Sequence, residues 1–142
     1  MIRQSQATAV WHGDLKSGRG IIDSQTGALK NVEYSFATRF GDQRGANPEE
    51  LIAAAEAACF SMALSAELAR NRITAESIST TATTTLDQVD DKPTVTEVHL
   101  TTEVRAGAAN RDTVLRAAEA AKAGCPISRL LKAKVTLVVN VA

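Results

Sequence analysis

Two cysteines carry the reactive potential of this 142-residue chain. Cys59 lies in Ala57-Ala58-Cys59-Phe60, among small and apolar neighbours, and Cys125 lies in Gly124-Cys125-Pro126, where a helix start is expected. A thiol inside an alanine-rich helix is ordinarily inert packing, whereas a thiol at a helix N-terminus is favoured as thiolate. Residue types alone leave packing, metal ligation and redox chemistry open. Metal ligation is disfavoured, because His12, His99, Cys59 and Cys125 share no CxxC or HxxxH spacing and His99 falls on the polar parity of its strand. Arg39 and Glu49 gain interest only beside a thiol; otherwise they read as a solvated strand-end charge and a first-turn helix acid.

Three blocks give these residues a context. Asn47-Pro48-Glu49-Glu50-Leu51, Ala57-Ala58-Cys59-Phe60-Ser61-Met62 and Ala123-Gly124-Cys125-Pro126-Ile127-Ser128 resemble the signatures of the OsmC/Ohr family of hydroperoxide reductases. The Trp11-His12-Gly13-Asp14 opening and Thr38-Arg39-Phe40 resemble its OsmC branch. The resemblance runs over essentially the whole chain. It implies an OsmC-like α+β fold and an intertwined homodimer. It also implies a thiol peroxidase of peroxiredoxin type, reducing organic hydroperoxides to alcohols. By the same resemblance Cys59 is the peroxidatic cysteine, Cys125 the resolving one, and Arg39 and Glu49 the polar partners of the reactive thiol. In the Ohr branch the arginine comes from a loop nearer the N-terminus, which makes Arg19 the alternative to Arg39. No cofactor is implied; an external dithiol or a lipoylated protein would recycle the enzyme.

The chemistry shows why such residues are needed. A free thiol of pKa near 8.5 is only about 3% thiolate at pH 7, and lowering the pKa to about 5.5 raises that fraction roughly thirty-fold. Burial in mid-helix pushes the pKa the other way. A cation must therefore oppose desolvation at Cys59, and a guanidinium can donate to sulfur and to peroxide oxygen together. Glu49 would hold Arg39 through a bidentate pair. Yet Glu49 and Cys59 are ten residues apart on what reads as one helix, a rise of about 15 Å. With no helix breaker in Leu51–Ala66, composite sites at a twofold interface are expected, with Arg39 and Glu49 serving the Cys59 of the partner subunit. The apolar side chains near Cys59 in sequence (Ala55, Ala58, Phe60, Met62, Ala63) suit an alkyl or aryl hydroperoxide.

The elements that must position these groups can be read from patterning. One parity of Ile2–Val10 marks a first strand, and Gly20–Asp23 and Tyr34–Phe40 mark two more. Asn47-Pro48-Glu49-Glu50 opens a helix that runs to about Asn71, with Asn47 as cap. It is apolar nearly all round over its first four turns, so a buried long helix is expected. Ile78, Thr80, Ala82, Thr84 and Leu86 share a face of a fourth strand, Asp87–Pro93 is a turn, and Val98, Leu100, Thr102 and Val104 share a face of a fifth. Asn110 caps a helix over Arg111–Lys122, a short helix starts at Cys125-Pro126, and Val135–Val141 is the last strand. Strand runs and helix runs segregate, which predicts a single α+β domain over residues 1–142 with mainly antiparallel sheet.

Composition closes off other classes. Sixteen Lys+Arg against sixteen Asp+Glu gives zero net charge, unlike a protein that grips nucleic acid or anionic lipid. Two cysteines are too few for a disulfide scaffold. The first twenty residues show no signal peptide, and the 16-residue apolar run Leu51–Ala66, with Glu56 inside it, reads as too short and polar to cross a membrane. A cytoplasmic protein is expected. Two rival readings are a thiol–disulfide exchange protein, against which the missing CxxC argues, and a non-enzymatic binding module with cysteines as core filler.

Overall fold

A computed structural model describes all residues, Met1–Ala142, as α+β with two three-stranded sheets. The chain divides into two compact units, Met1–Leu51 and Ile52–Ala142. Three of the four strand pairings are antiparallel.

In the first unit β1 (Ala7–His12), β2 (Arg19–Ser24) and β3 (Val32–Tyr34) form an antiparallel sheet in chain order. Trp11 and Tyr34 meet on it with ring centroids 5.6 Å apart. Gly20, opposite both in the register, leaves room for them, because a Cβ there would lie 2.3 Å from the Tyr34 ring. The first strand starts later than its parity predicts, since Ile2 is exposed and outside it. The expected strand Tyr34–Phe40 is also corrected: β3 stops at Tyr34 and residues Phe36–Phe40 form a short helix, α1. Its cause is local. Ser35 Oγ accepts the Thr38 N–H at 3.2 Å and Thr38 Oγ1 accepts the Ser35 N–H at 2.8 Å, a reciprocal capping box that β-propensity does not register.

Helix α2 (Pro48–Arg70) opens in the first unit and runs on through the second. Asn47 Oδ1 accepts the Glu50 N–H at 2.8 Å, as the capping pattern predicts. Within the chain only one stripe of α2 is fully buried: Glu56, Phe60, Leu64 and Leu68, spaced four apart. The opposite side leaves Ala54, Ala55 and Ala58 exposed and Met62 at 77% exposure, so the all-round burial expected of this helix is not achieved by one chain. The 23 residues of α2 match the helix read from Pro48 to about Asn71, and by length and composition that helix, longer than its 16-residue apolar run, could cross a bilayer. Its buried stripe instead joins a core between sheet and helix.

That core belongs to the second unit. Strands β4 (Ser77–Val89) and β5 (Lys92–Arg105) form a long hairpin, and β6 (Lys134–Val141) pairs parallel with β5 after a crossover through α3 (Arg111–Gly124) and α4 (Pro126–Leu130). The predicted turn Asp87–Pro93 narrows to Asp90 and Asp91, whose φ values of 52° and 60° suit a two-residue hairpin turn. The strand faces follow their periodicity. Ala82, Leu100 and Leu137 stand in one row across the sheet, as do Ile78, Val104 and Val141. On this face Phe60, Leu64 and Leu68 of α2 and Val114, Ala117, Ala118 and Ala121 of α3 complete the core. Each large apolar side chain fully buried there contributes about 1.5–3 kcal/mol. A part-buried hydroxyl chain joins α2 to the sheet: Ser61 Oγ donates to Thr80 Oγ1 at 2.8 Å, and Thr80 Oγ1 lies 2.9 Å from Thr102 Oγ1.

Candidate active site

The thiol pair is built where three helices of the second unit meet. Asn110 caps α3 through the Thr113 N–H at 3.1 Å, and α3 ends at Cys125, whose N–H still donates to the Ala121 carbonyl at 2.8 Å. Pro126 has no N–H to extend that ladder, so the chain turns and α4 begins. Cys125 is thus the C-cap of one helix and the N-cap of the next, and it is fully buried. Its sulfur lies 2.7 Å from that of Cys59 on α2. Both thiols are free and Cys59 is half-buried. The two cysteines that spacing could not connect are in contact.

Burial is the largest influence on Cys59 and raises its thiol pKa above the ordinary value. The neighbouring Cys125 sulfur and the negative charge of Glu56 push the same way, and only the Ile127 N–H at the start of α4 favours the thiolate. No cation of the chain enters this balance, which leaves the requirement for one in place.

The first unit holds the polar partners. Arg39 occupies the last turn of α1, and Glu49 the first turn of α2. Asn47 joins the two turns, because its Nδ2 donates to the Thr38 carbonyl at 3.3 Å while its Oδ1 caps α2. Arg39 Nη2 then donates to Glu49 Oε1 at 2.8 Å, and Nε reaches Oε1 at 3.2 Å and Oε2 at 3.3 Å. Glu49 is 10% and Arg39 37% exposed, so the carboxylate is sheltered and the guanidinium keeps an open side. Arg19, the alternative arginine, faces Glu33 at 3.9 Å with both side chains over 70% exposed. It does not meet Glu49.

Beside the open guanidinium lies an apolar groove of about 280 Å³ lined by Trp11, Leu15, Tyr34, Phe36 and Phe40. Sequence proximity to Cys59 points elsewhere for an apolar lining and misleads at Phe60, which is wholly buried in the core. A usable signal did exist: four of the chain's five aromatic residues fall within its first 40 positions. His12 ends β1 in the first unit, and His99 Nδ1 pairs with Thr136 Oγ1 at 2.6 Å on the second sheet. No three His, Cys, Asp or Glu side chains cluster as a metal site would need.

Such features define a class of α+β protein with paired thiols at a helix junction and an arginine–carboxylate pair. Known proteins resemble the chain over nearly its whole length. The chain is 44% identical to the peroxiredoxin OsmC of Escherichia coli (strain K12) over 137 residues, covering 96% of each. Its fold matches an OsmC-like protein of unknown function from Vibrio cholerae with TM-score 0.79 at 17% identity, covering 97% of this chain and 99% of that one. It also matches an organic hydroperoxide resistance protein OsmC from Legionella pneumophila with TM-score 0.77 at 24% identity, covering 100% of this chain and 98% of that one. Residues 41–140 match the OsmC-like protein family. The chain belongs to that family.

Proposed function

We propose that this protein is a cytoplasmic, thiol-dependent peroxidase that reduces organic hydroperoxides to alcohols. The contact between the sulfurs of Cys59 and Cys125 carries the reading. The Cys59 thiolate attacks one peroxide oxygen; the O–O bond breaks, and the departing alkoxide takes a proton to leave as alcohol. Cys59 becomes a sulfenic acid. The Cys125 sulfur then attacks the Cys59 sulfur, the S–O bond breaks, and water leaves as the disulfide forms. An external dithiol, free or on a lipoylated protein, reduces that disulfide. A non-enzymatic module would have no use for two touching free thiols.

The guanidinium that this chemistry needs comes from a second subunit. Glu49 and Cys59 are separated by ten residues of unbroken α2, about 15 Å of rise, more than one glutamate side chain can bridge while holding an arginine. In a twofold dimer Arg39, held by Glu49, would approach the Cys59 of the partner subunit, and the aromatic groove beside Arg39 would receive the organic group of the substrate. The open side of α2, with Ala55, Ala58 and Met62, supplies an apolar surface for such a dimer. The single fold over residues 1–142 is then complete only as a pair.

Purified reduced protein supplied with cumene hydroperoxide or hydrogen peroxide, and with dihydrolipoamide or a monothiol, tests the reading. Dithiol-dependent consumption that favours the organic hydroperoxide is expected. Activity on protein disulfides without consumption of any peroxide points to thiol–disulfide exchange instead.

A further inference from the structure

Glu56 is the one carboxylate sealed in the interior of the second unit, and the peroxidase chemistry above does not use it. It precedes Cys59 by three residues on α2, and Ser128 follows Cys125 by three residues in α4. Ser128 Oγ donates to Glu56 Oε1. Residues three apart on a helix share a face, so the two helices meet through a ladder of two rungs, Cys59 with Cys125 and Glu56 with Ser128. The second carboxylate oxygen, Oε2, is buried without a partner.

One further tie joins α4 to α2, the Ile127 N–H to the Cys59 sulfur, and it too ends on the atom that is oxidised. Helix α4 is five residues long, buries none of them, and begins at a cysteine cap that makes no side-chain capping bond. When Cys59 is oxidised its sulfur gains an oxygen, and the sulfur–sulfur rung changes. The Glu56–Ser128 rung does not.

We infer that Glu56 is a positioning residue for disulfide formation, holding the start of α4 through Ser128 so that Cys125 stays within reach of oxidised Cys59. The inference rests on the peroxidase reading and concerns its second step. A polar group sealed in the interior with only one oxygen satisfied is costly, and a tether that must outlast the oxidation of its neighbour gives it a purpose. The carboxylate charge also opposes ionisation of Cys59. An amide at the same place keeps the acceptor oxygen and removes that opposition.

Glu56→Ala, Glu56→Gln and Ser128→Ala proteins, with the parent chain, can be mixed with one equivalent of cumene hydroperoxide and quenched over time. Mass spectrometry then follows Cys59 sulfenic acid and the Cys59–Cys125 disulfide. In Glu56→Ala and Ser128→Ala, sulfenic acid should form while disulfide formation slows about tenfold, the loss expected for one hydrogen bond to a charged group. Excess peroxide should then carry Cys59 on to sulfinic acid. Glu56→Gln should keep disulfide formation within about twofold of the parent and lower the pH midpoint of Cys59 alkylation. Parent-like disulfide formation in both Glu56→Ala and Ser128→Ala overturns the inference. Should Glu56→Ala not fold, Ser128→Ala decides alone, since it removes one hydroxyl from a half-buried helical position. Absence of sulfenic acid and disulfide in the parent chain sinks the peroxidase reading instead.

Discussion

Arg39 donates to Glu49 through both Nε and Nη2, with Nη2 at 2.8 Å from Oε1, and the carboxylate is the more buried partner. This order of burial fixes the guanidinium by its back and leaves its front free. A solvated surface pair has no such polarity and contributes little. The pair is therefore arranged to present a cation, and its removal gives the sharpest test of the proposed chemistry.

Arg39→Ala should lower the peroxidase kcat/KM by about 10²–10³-fold, the usual effect of deleting a donor to developing charge. Arg39→Lys should recover little of it, because an ammonium lacks the fork that reaches sulfur and oxygen together. Steady-state rates with cumene hydroperoxide read both.

A pH effect accompanies the loss. Without the guanidinium, burial leaves the Cys59 thiol raised. A raised thiol holds its proton more tightly in the folded than in the unfolded chain. Its contribution to stability is complete below the unfolded thiol value, about pH 8.5, and is lost as pH climbs from there through the folded value. Reduced Arg39→Ala should thus lose stability above about pH 8.5 relative to Arg39→Ala/Cys59→Ser. Denaturant midpoints of the two proteins between pH 7 and 10 measure it; parallel curves contradict the raised thiol.

The two cysteines should separate by the products they leave. Cys125→Ser treated with hydroperoxide should accumulate sulfenic and then sulfinic acid on Cys59, whereas Cys59→Ser should form neither at Cys125. Sulfenic acid trapped on Cys125 in Cys59→Ser would reverse the assigned roles, as the helix-start position of that thiol alone suggests.

The exposed side of α2 can be probed with a charge. Met62→Asp places a carboxylate where the proposed dimer needs an apolar surface, and sedimentation should show a shift from dimer to monomer with loss of peroxidase activity. A parent chain that sediments as an active monomer contradicts the composite site.

The core admits a direct measure. Phe60→Ala removes a fully buried ring between α2 and the sheet and should cost about 3–5 kcal/mol in urea unfolding. Ala120→Ser, at an exposed position of α3, should stay within about 0.5 kcal/mol.

Local signals were written plainly in the chain. The faces Ile78–Leu86, Val98–Val104 and Val135–Val141 could be read because strand side chains alternate wherever the chain goes, and Asn47 and Asn110 mark helix starts because a cap needs only its own next three residues. Where a rival local interaction was equally near, as with Ser35 and Thr38, propensity alone misplaced Tyr34–Phe40. Only the tertiary structure could bring Cys125 to Cys59 across 66 residues, pair Ser128 with Glu56 across 72, and gather Trp11, Tyr34, Phe36 and Phe40 beside Arg39. The thiol and Glu56–Ser128 contacts depend on how α2, α3 and α4 pack and where the chain turns at Pro126, the aromatic groove on how β1, β3 and α1 fold together, and no short stretch of residues carries that information. Glu56 shows the difference most clearly: as a lone acid in an apolar run it reads as an interruption, and in the folded chain it is a strut beside the thiols.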